Sequence, residues 1–358
     1  CNVTSSESCS LASMPKDETT LVLPGGETRC IYSYSTPYAF QVVPGATDKV
    51  LLYFQGGGAC WDEPSTTLGF CTSDVSPQSP VGVFDRSNIK NEFKDYTIVH
   101  AMYCSGDIFG GNVVRDYDDK EGVPVTQKGF KNAEATLDWI VEQQAAGHLA
   151  STLSDLVVMG CSAGSIGAQL WGNQAVTRVQ WNQAAVMPDS YAGVFPPDTQ
   201  GPLIYDFGMC SVAEGFLSAE NIAKCEAETL TLQDIDNEFM AATPAVPYSF
   251  IQSKTDIVQM SFYAAIGITT PNASAYITPE LFYDDVNAVF EDYNKHENFL
   301  TYLVDGGQHC FSPMNLFFTA DGISAEDDGK TSTQEMMYEW ASHFPLADSA
   351  SEYTVCEG

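Results

Sequence analysis

The residues with the clearest potential for chemistry are Gly160-Cys161-Ser162-Ala163-Gly164, a Gly-x-Ser-x-Gly pattern. A mostly apolar run at 155–159 precedes the pattern, and a helix-compatible stretch at 166–171 follows it. This context predicts a strand, a sharp turn and a helix, which together hold a serine hydroxyl out at the carboxyl end of the strand. Ser162 is therefore the candidate nucleophile, and Cys161 is expected to be a buried packing thiol or a disulfide partner.

A serine nucleophile needs a general base, because a hydroxyl is a poor nucleophile at neutral pH. The chain has five histidines. His309 stands in the glycine-containing loop 305–310 after the last predicted strand. In α/β-hydrolases the catalytic histidine lies in such a loop and follows the nucleophile and the acid along the chain. The other four have structural interpretations: a core position for His100, a helix cap for His148, and surface positions for His296 and His343. His309 is therefore the candidate base.

The carboxylate that orients the base should lie between Ser162 and His309, just past the end of a strand. Asp256 follows the penultimate predicted strand, the usual donor, and is the first candidate. Asp189 follows the strand directly after the nucleophile and is the alternative. This group would fix the imidazole tautomer and stabilise the imidazolium without taking the proton. Asp305 is too close to His309 in sequence for this geometry.

Acyl transfer also needs hydrogen-bond donors for the oxyanion of the tetrahedral intermediate. Gly56-Gly57-Gly58-Ala59 follows the predicted strand that supplies this loop in α/β-hydrolases. Glycines allow the backbone to turn its N–H groups toward a substrate carbonyl. Gly57, Gly58 and Ala163, the residue after the candidate nucleophile, are the predicted donors.

Composition excludes several other functions. A formal charge of −32, from 47 acidic and 15 basic residues, repels nucleic acid and other polyanions. No run approaches 18 consecutive apolar residues, so we expect no membrane span. Eleven cysteines without zinc-like C-x-x-C pairs suit an oxidising compartment rather than a metal centre. We predict neither a metal nor a cofactor, and a monomer that binds a small-molecule or polysaccharide ester.

The expected location is secreted or extracellular, with a periplasmic protein or a lipid anchor through Cys1 as alternatives. Asn2 and Asn272 begin acceptor sequons for glycosylation. The sequence leaves the cysteine pairing open, but Cys60 could bond to Cys71 and Cys210 to Cys225 as loop closures.

Predicted strands alternate with helical stretches, which indicates an α/β fold with a mostly parallel sheet and helices on both faces. Apolar runs predict strands at 49–55, 96–102, 155–159, 184–187, 248–253 and 299–304, amphipathic spacing predicts a helix over 129–146, and 29–35 with 38–43 suggests a hairpin. We expect a single α/β-hydrolase domain over residues 1–358. Residues 1–28 would be an N-terminal segment tethered by a disulfide, and residues 196–246 a cap or insertion over the site.

Five segments, in this order, resemble the pectin acetylesterase family, which also contains the Notum-type carboxylesterases. They are Tyr53-Phe54-Gln55-Gly56-Gly57-Gly58-Ala59-Cys60-Trp61-Asp62, Tyr103-Cys104-Ser105-Gly106-Asp107, Gly160-Cys161-Ser162-Ala163-Gly164, Asp256-Ile257-Val258-Gln259 and His309-Cys310. The Gly-Gly-Gly-Ala-Cys-Trp variant is most similar to the microbial branch. The resemblance implies an α/β-hydrolase fold and a secreted carboxylic ester hydrolase without a cofactor. It assigns the nucleophile to Ser162, the acid to Asp256, the base to His309, and the oxyanion hole to the glycine loop with Ala163.

Substrate choice is the open part of this prediction. Ser165 and Ala59 differ from many members of the family, and both are expected at the mouth of the site. Acetylated pectin is a polyanion, which so acidic a chain repels at low salt. An aromatic content of 12% suits a neutral sugar, an aromatic ester or an acyl chain equally well. The expected function is a serine carboxylic ester hydrolase that forms an acyl-enzyme.

Two substrate classes are open for such an enzyme: an acetylated polysaccharide such as pectin, and a lipid, acyl or aromatic (poly)ester. A catalytically silent secreted binding protein is the alternative of another class. Silent proteins of this kind usually lack a member of the catalytic triad, whereas this sequence contains a candidate for each member.

Overall fold

A computed structural model describes residues 1–4, 8–270, 273–320 and 336–344. The strands in these residues are β1 (Thr20–Val22), β2 (Phe40–Val43), β3 (Ala46–Phe54), β4 (Tyr96–Ala101), β5 (Val113–Asp118), β6 (Pro124–Gln127), β7 (Leu153–Cys161), β8 (Trp181–Asp189), β9 (Tyr248–Ser253) and β10 (Phe299–Val304). The α-helices are α1 (Glu63–Thr67), α2 (Gly129–Ala145), α3 (Ala163–Arg178), α4 (Gln200–Asp206), α5 (Ala219–Glu226), α6 (Leu232–Ala242), α7 (Ile257–Thr269), α8 (Pro279–Tyr293) and α9 (Met337–Ala341). Short 3₁₀ helices lie at Leu11–Ser13, Gly82–Phe84, Glu92–Asp95, Met209–Val212 and Asn315–Phe318.

A mixed eight-stranded sheet in the order β1-β2-β4-β3-β7-β8-β9-β10 organises the chain. β2 pairs antiparallel with β1 and β4, whereas β4, β3, β7, β8, β9 and β10 are parallel to one another. The carboxyl ends of parallel strands meet at one edge, which is where open α/β sheets bind their ligands. The loops after β3, β7, β8, β9 and β10 therefore share this edge, and the predicted α/β class is confirmed.

The central strands are long apolar runs because both of their faces are covered. Every residue of β4 and β9 is buried. The core on one face includes side chains from α2, α3, α6 and α8. The core on the other face includes 3₁₀ residues such as Phe84 and Phe317 together with Trp340 of α9. The predicted helix at 129–146 is α2, and the predicted strand at 299–304 is β10.

The predicted hairpin of 29–35 with 38–43 is wrong. Only Phe40–Val43 forms a strand, and its antiparallel partners are β1 and β4. The 29–35 segment is held in other ways, because Cys30 is bonded to Cys104 and the Ile31 N–H donates to the Cys104 carbonyl at 2.9 Å. The Ile31 carbonyl in turn accepts the Thr126 N–H at 3.1 Å, so the backbone of this residue is hydrogen-bonded without a neighbouring strand of a hairpin.

The N-terminal segment 1–28 is not tethered by a disulfide, because the bond from Cys1 goes to Cys9 within the same segment. It is attached instead through β1 and through hydrogen bonds to α2. The Trp139 indole donates to the Cys9 carbonyl at 3.1 Å, and the Leu11 N–H donates to the Gln143 side chain at 2.9 Å. Since its sulfur is bonded to Cys9, Cys1 has no thiol to carry a lipid.

The predicted pairs Cys60–Cys71 and Cys210–Cys225 are confirmed. A further bond joins Cys161 to Cys310, so Cys161 is a disulfide partner. Cys356 and the sequon residue Asn272 lie outside the described residues.

Among the described residues, no helix combines the length and the apolar character that a membrane crossing requires.

Asp236 on α6 is a buried carboxyl with one hydrogen-bond partner, the Tyr293 hydroxyl at 2.8 Å, while its Oδ1 has none among the described residues. Burial raises the pKa of Asp236 to about 7. This folded-state pKa exceeds the unfolded value of about 3.9. The contribution of Asp236 to the free energy of unfolding is therefore most favourable below pH ~4 and is lost as pH rises toward 7.

We expect Asp236→Asn to stabilise the protein by about 2 to 4 kcal/mol at pH 8 and to have little effect at pH 4. Urea unfolding at pH 4, 6 and 8 measures this difference. Asp292→Asn is the control, because the pKa of Asp292 is lowered and its removal should destabilise at pH 8. An Asp236→Asn protein that is less stable than wild type at pH 8 would contradict the argument.

Candidate active site

Ser162 occupies the sharp turn between β7 and α3, with φ 60° and ψ −124°. The turn requires its flanking glycines, since a Cβ on Gly160 would collide with the Gly164 carbonyl, and one on Gly164 with the Phe54 carbonyl. The Ser162 N–H donates to the Asp189 carbonyl at 3.0 Å. The predicted strand–turn–helix is present, and it places Ser162 at the carboxyl edge of the sheet.

Asp256 and His309 come together from the loops after β9 and β10. The His309 Nδ1 lies 2.7 Å from the Asp256 Oδ2. Asp256 is also the N-cap of α7, and its Oδ1 accepts the N–H groups of Val258 and Gln259, both at 3.0 Å. These three hydrogen bonds, a fourth from the Gln259 side chain and a helix N-terminus stabilise a fully buried carboxylate.

The other imidazole nitrogen, His309 Nε2, is buried and has no hydrogen-bond partner among the described residues. A hydrogen bond to Ser162 is therefore not formed in this structure. Catalytic hydrogen bonds are often long without substrate and tighten in the complex. The two residues are nonetheless linked through their neighbours, because Cys161 precedes Ser162 and its disulfide partner Cys310 follows His309.

Gln259 is a site residue to which sequence reasoning assigned no role. Its amide nitrogen donates to the Asp256 Oδ2 at 2.9 Å and to Gln252 at 3.0 Å, while its oxygen accepts the Ala192 N–H at 3.2 Å. The signal was available, because Asp followed three residues later by Gln is a helix-capping pattern. The Gln259 side chain and the imidazole of His309 thus contact the same oxygen of Asp256.

Asp189, the alternative acid, binds the loop that follows the histidine rather than the imidazole. Its carboxylate accepts hydrogen bonds from Ser190 Oγ, the Phe311 N–H, and both the N–H and Oγ of Ser312, at 2.6 to 2.9 Å. Burial raises the pKa of Asp189, and these hydrogen bonds oppose that effect. The structure therefore favours Asp256 as the partner of His309.

The glycine loop packs directly on the nucleophile turn. A Cβ on Gly56 would lie 2.7 Å from the Cys161 carbonyl oxygen. Gly58 has φ 75°, and a Cβ there would collide with the Phe70 carbonyl. Within the described residues the amides of Gly57, Gly58 and Ala163 donate no hydrogen bond. Ala163 opens α3, where the first N–H groups have no acceptor inside the helix.

The Tyr103–Asp107 segment is structural. The buried Asp107 accepts hydrogen bonds from the Ser105 hydroxyl and the Gly129 N–H, both at 2.6 Å, which fixes the start of α2.

The predicted core position of His100 is confirmed, since burial lowers its pKa to about 3 and its Nδ1 lies 3.0 Å from the Gln41 side-chain oxygen.

The remaining histidines lie outside the site. The predicted helix-end position of His148 is confirmed, because its N–H donates to the Gln143 carbonyl at 2.9 Å just after α2. Its imidazole contacts Ser10 and the Gln143 side chain, and the imidazole of His296 contacts Asn237. His296 and His343 are partly buried rather than fully exposed surface residues.

Cys161, His309 and Cys310 place possible metal-ligand atoms within 4.8 Å of one another, but the two sulfurs are bonded to each other and offer no thiolate.

An apolar cavity opens beside Ser162. A water-sized sphere can reach about 50 Å³ of it, several times the roughly 15 Å³ that one water molecule needs. Its lining combines Gly58, Ser162 and Ala163 with side chains from α3, α4, α6 and α7, namely Ile166, Leu203, Ile204, Leu232, Phe262 and Ile266, and with Ala59, Trp61, Ile108, Tyr191, Phe195, Gln200 and Phe207. The 196–246 segment thus supplies part of the wall. No Lys or Arg is among these described lining residues.

The sheet order and the site at its carboxyl edge define an α/β-hydrolase. A solved structure with the same fold is that of the Wnt deacylase Notum from Drosophila, with a TM-score of 0.55 and 16% identity over 85% of this chain and 88% of that chain. The profile of the pectinacetylesterase family matches residues 29–317, and the chain belongs to this family. It is accordingly a carboxylic ester hydrolase. No curated protein matches the sequence significantly.

Gln259→Ala should lower kcat for ester hydrolysis about 10-fold with little change in KM, because it removes the side-chain hydrogen bond to the Asp256 Oδ2 and loosens the imidazole that Asp256 holds. Steady-state kinetics on a p-nitrophenyl ester measures this. Only the side-chain bond and the packing are lost, since the Gln259 N–H remains. Gln143→Ala, which removes a buried helical glutamine on α2, is the matched control and should keep kcat within about twofold. Equal losses in both variants would contradict the assignment.

Proposed function

We propose that the chain is a secreted serine carboxylic ester hydrolase that acts through Ser162, His309 and Asp256 and an acyl-enzyme intermediate. The observation that carries the proposal is the pairing of His309 Nδ1 with Asp256 beside an unpartnered Nε2. A proton held on Nδ1 by the carboxylate leaves the Nε2 lone pair as the base.

In the first half-reaction the Ser162 oxygen attacks the ester carbonyl while His309 Nε2 takes the hydroxyl proton. The carbonyl oxygen becomes an oxyanion, which accepts hydrogen bonds from the Gly57, Gly58 and Ala163 amides. Collapse of this intermediate breaks the ester C–O bond, and the imidazolium returns the proton to the departing alcohol. The acyl group remains on Ser162.

In the second half-reaction a water molecule gives its proton to His309 Nε2 and attacks the acyl carbonyl. The same amides bind the second oxyanion, and collapse releases the carboxylic acid and restores the Ser162 hydroxyl. Asp256 stays ionised throughout and stabilises the imidazolium in both halves. The five disulfides of the described residues support secretion, because such bonds persist in oxidising compartments.

Ser162→Ala should lower ester hydrolysis by at least about 10³-fold and abolish labelling by a fluorophosphonate probe, because both need the Ser162 oxygen. The measurement is hydrolysis of p-nitrophenyl acetate, butyrate and octanoate with mass spectrometry of the labelled peptide. Ser154→Ala, at the opposite end of β7, is the control and should keep wild-type activity. A wild-type protein that neither hydrolyses these esters nor labels would favour a silent binding protein.

Two substrate classes fit this chemistry: an acetylated polysaccharide such as pectin, and an ester of a longer acyl or an aromatic group. The apolar cavity favours the second class. An acetyl methyl is about the size of one water molecule, so it would leave most of the cavity empty. No cation lines the described cavity to attract a pectin carboxylate.

We expect kcat/KM to rise from acetate to butyrate by about 10-fold, since each buried methylene contributes about 0.8 kcal/mol. Leu203→Trp narrows the cavity and should reduce octanoate hydrolysis about 10-fold while acetate hydrolysis stays within about twofold. Tyr205→Trp is the matched control, because Tyr205 lies on the same helix but is exposed and outside the lining. A preference of both variants and wild type for acetylated pectin over butyrate would instead favour the polysaccharide class.

A further inference from the structure

The residues next to the nucleophile and the base are covalently joined. Cys161 precedes Ser162, Cys310 follows His309, and their disulfide closes a sequence separation of 149 residues. Both cysteines are buried, and a ring nitrogen of His309 lies within 4.8 Å of their sulfur atoms. The bond therefore connects the end of β7 to the loop after β10, across β8 and β9, which lie between these strands in the sheet.

The same place holds a cluster of strained backbone. Ser162, Ser190 and Cys310 have φ values of 60°, 61° and 65°, in the left-handed region that non-glycine residues disfavour. Such conformations persist only where the surroundings over-determine them, and they concentrate at active sites. The disulfide ends on one of these residues and on the neighbour of another.

Hydrogen bonds complete the restraint around Cys310. Its N–H donates to the Ser190 hydroxyl oxygen at 2.9 Å, and that hydroxyl donates to the Asp189 carboxylate at 2.8 Å. The Asp189 carboxylate also holds the N–H groups of the next two residues, Phe311 and Ser312. On the other side, the Asp189 carbonyl accepts the Ser162 N–H.

We propose that Cys161, Cys310, Asp189 and Ser190, which we call the 161–310 clamp, position His309 relative to Ser162 for proton transfer. The proposal rests on the proposed function. Asp256 fixes the rotation of the imidazole, and the clamp fixes where its backbone stands. The four are positioning residues, because their bonds hold Ser162 and the chain next to Ser162 and His309 rather than the substrate.

The test compares Cys161→Ala/Cys310→Ala with Cys1→Ala/Cys9→Ala, which removes a disulfide of the N-terminal segment, where no described residue lines the cavity. We expect the first variant to lose about 10- to 100-fold in kcat on p-nitrophenyl butyrate with KM within about twofold, since small misplacements of reacting groups cost this much. The fluorophosphonate labelling rate of Ser162 should fall by a similar factor. The control should keep kcat within about twofold, and melting temperatures of both variants verify that each is folded at the assay temperature.

A folded Cys161→Ala/Cys310→Ala variant with wild-type kcat would overturn the proposal, and so would an equal loss in the control. If that variant does not fold, Ser190→Ala decides, because it keeps the disulfide and removes only the hydroxyl. We then expect a 3- to 10-fold lower kcat at unchanged KM, and an unchanged kcat overturns the proposal. An inert wild-type protein would contradict the proposed function itself, whereas an active wild type with unaffected variants contradicts only the clamp.

Discussion

The close approach of β7, α3 and the end of β3 is the constraint on which the rest of the site depends. It is possible only because Gly160 and Gly164 carry no side chain where the Phe54 and Gly164 carbonyls pass. This contact accompanies the sharp turn at Ser162, and the glycine loop after β3 packs on the same turn. The proposed nucleophile and the proposed oxyanion donors therefore depend on one packing contact, and a larger residue at either glycine would displace both.

The acid and the base are positioned by a different principle, the hydrogen bonding of buried carboxylates. Asp256 is supported by two backbone amides and Gln259, and Asp189 by the backbone of the loop after His309. A buried carboxylate is stable only when such donors surround it. Each carboxylate therefore organises the loops that supply its donors, and the histidine loop lies between the two.

Most of the sheet was predictable because buried parallel strands are continuous apolar runs, and β9 and β10 were located to the residue. The catalytic candidates were predictable because parallel strands place their following loops at one edge. The structure of the 29–35 segment was not predictable. Its residues are typical of a strand, but a disulfide and hydrogen bonds to distant residues hold its backbone instead. The role of Asp189 and the Cys161–Cys310 pairing were also beyond the sequence, because they depend on contacts between residues far apart along the chain. The support that Gln259 gives to Asp256 is local, and the helix-capping pattern of these two residues could have revealed it.

The net charge of −32 opposes the chemistry that the site supports, since an oxyanion must form on a strongly acidic molecule. Surface charges act weakly on it, because their field is screened beyond roughly 8 Å at physiological ionic strength. The local balance is set instead by amide dipoles and by an uncharged wall, as residues 257–279, which include α7, contain no charged residue. In such surroundings an amide donor is worth more than in water, because the local dielectric is low. The same wall that strengthens the oxyanion contacts also disfavours a charged acyl group. In the proposed mechanism, stabilisation of the transition state and selection for a neutral substrate would therefore have one physical origin.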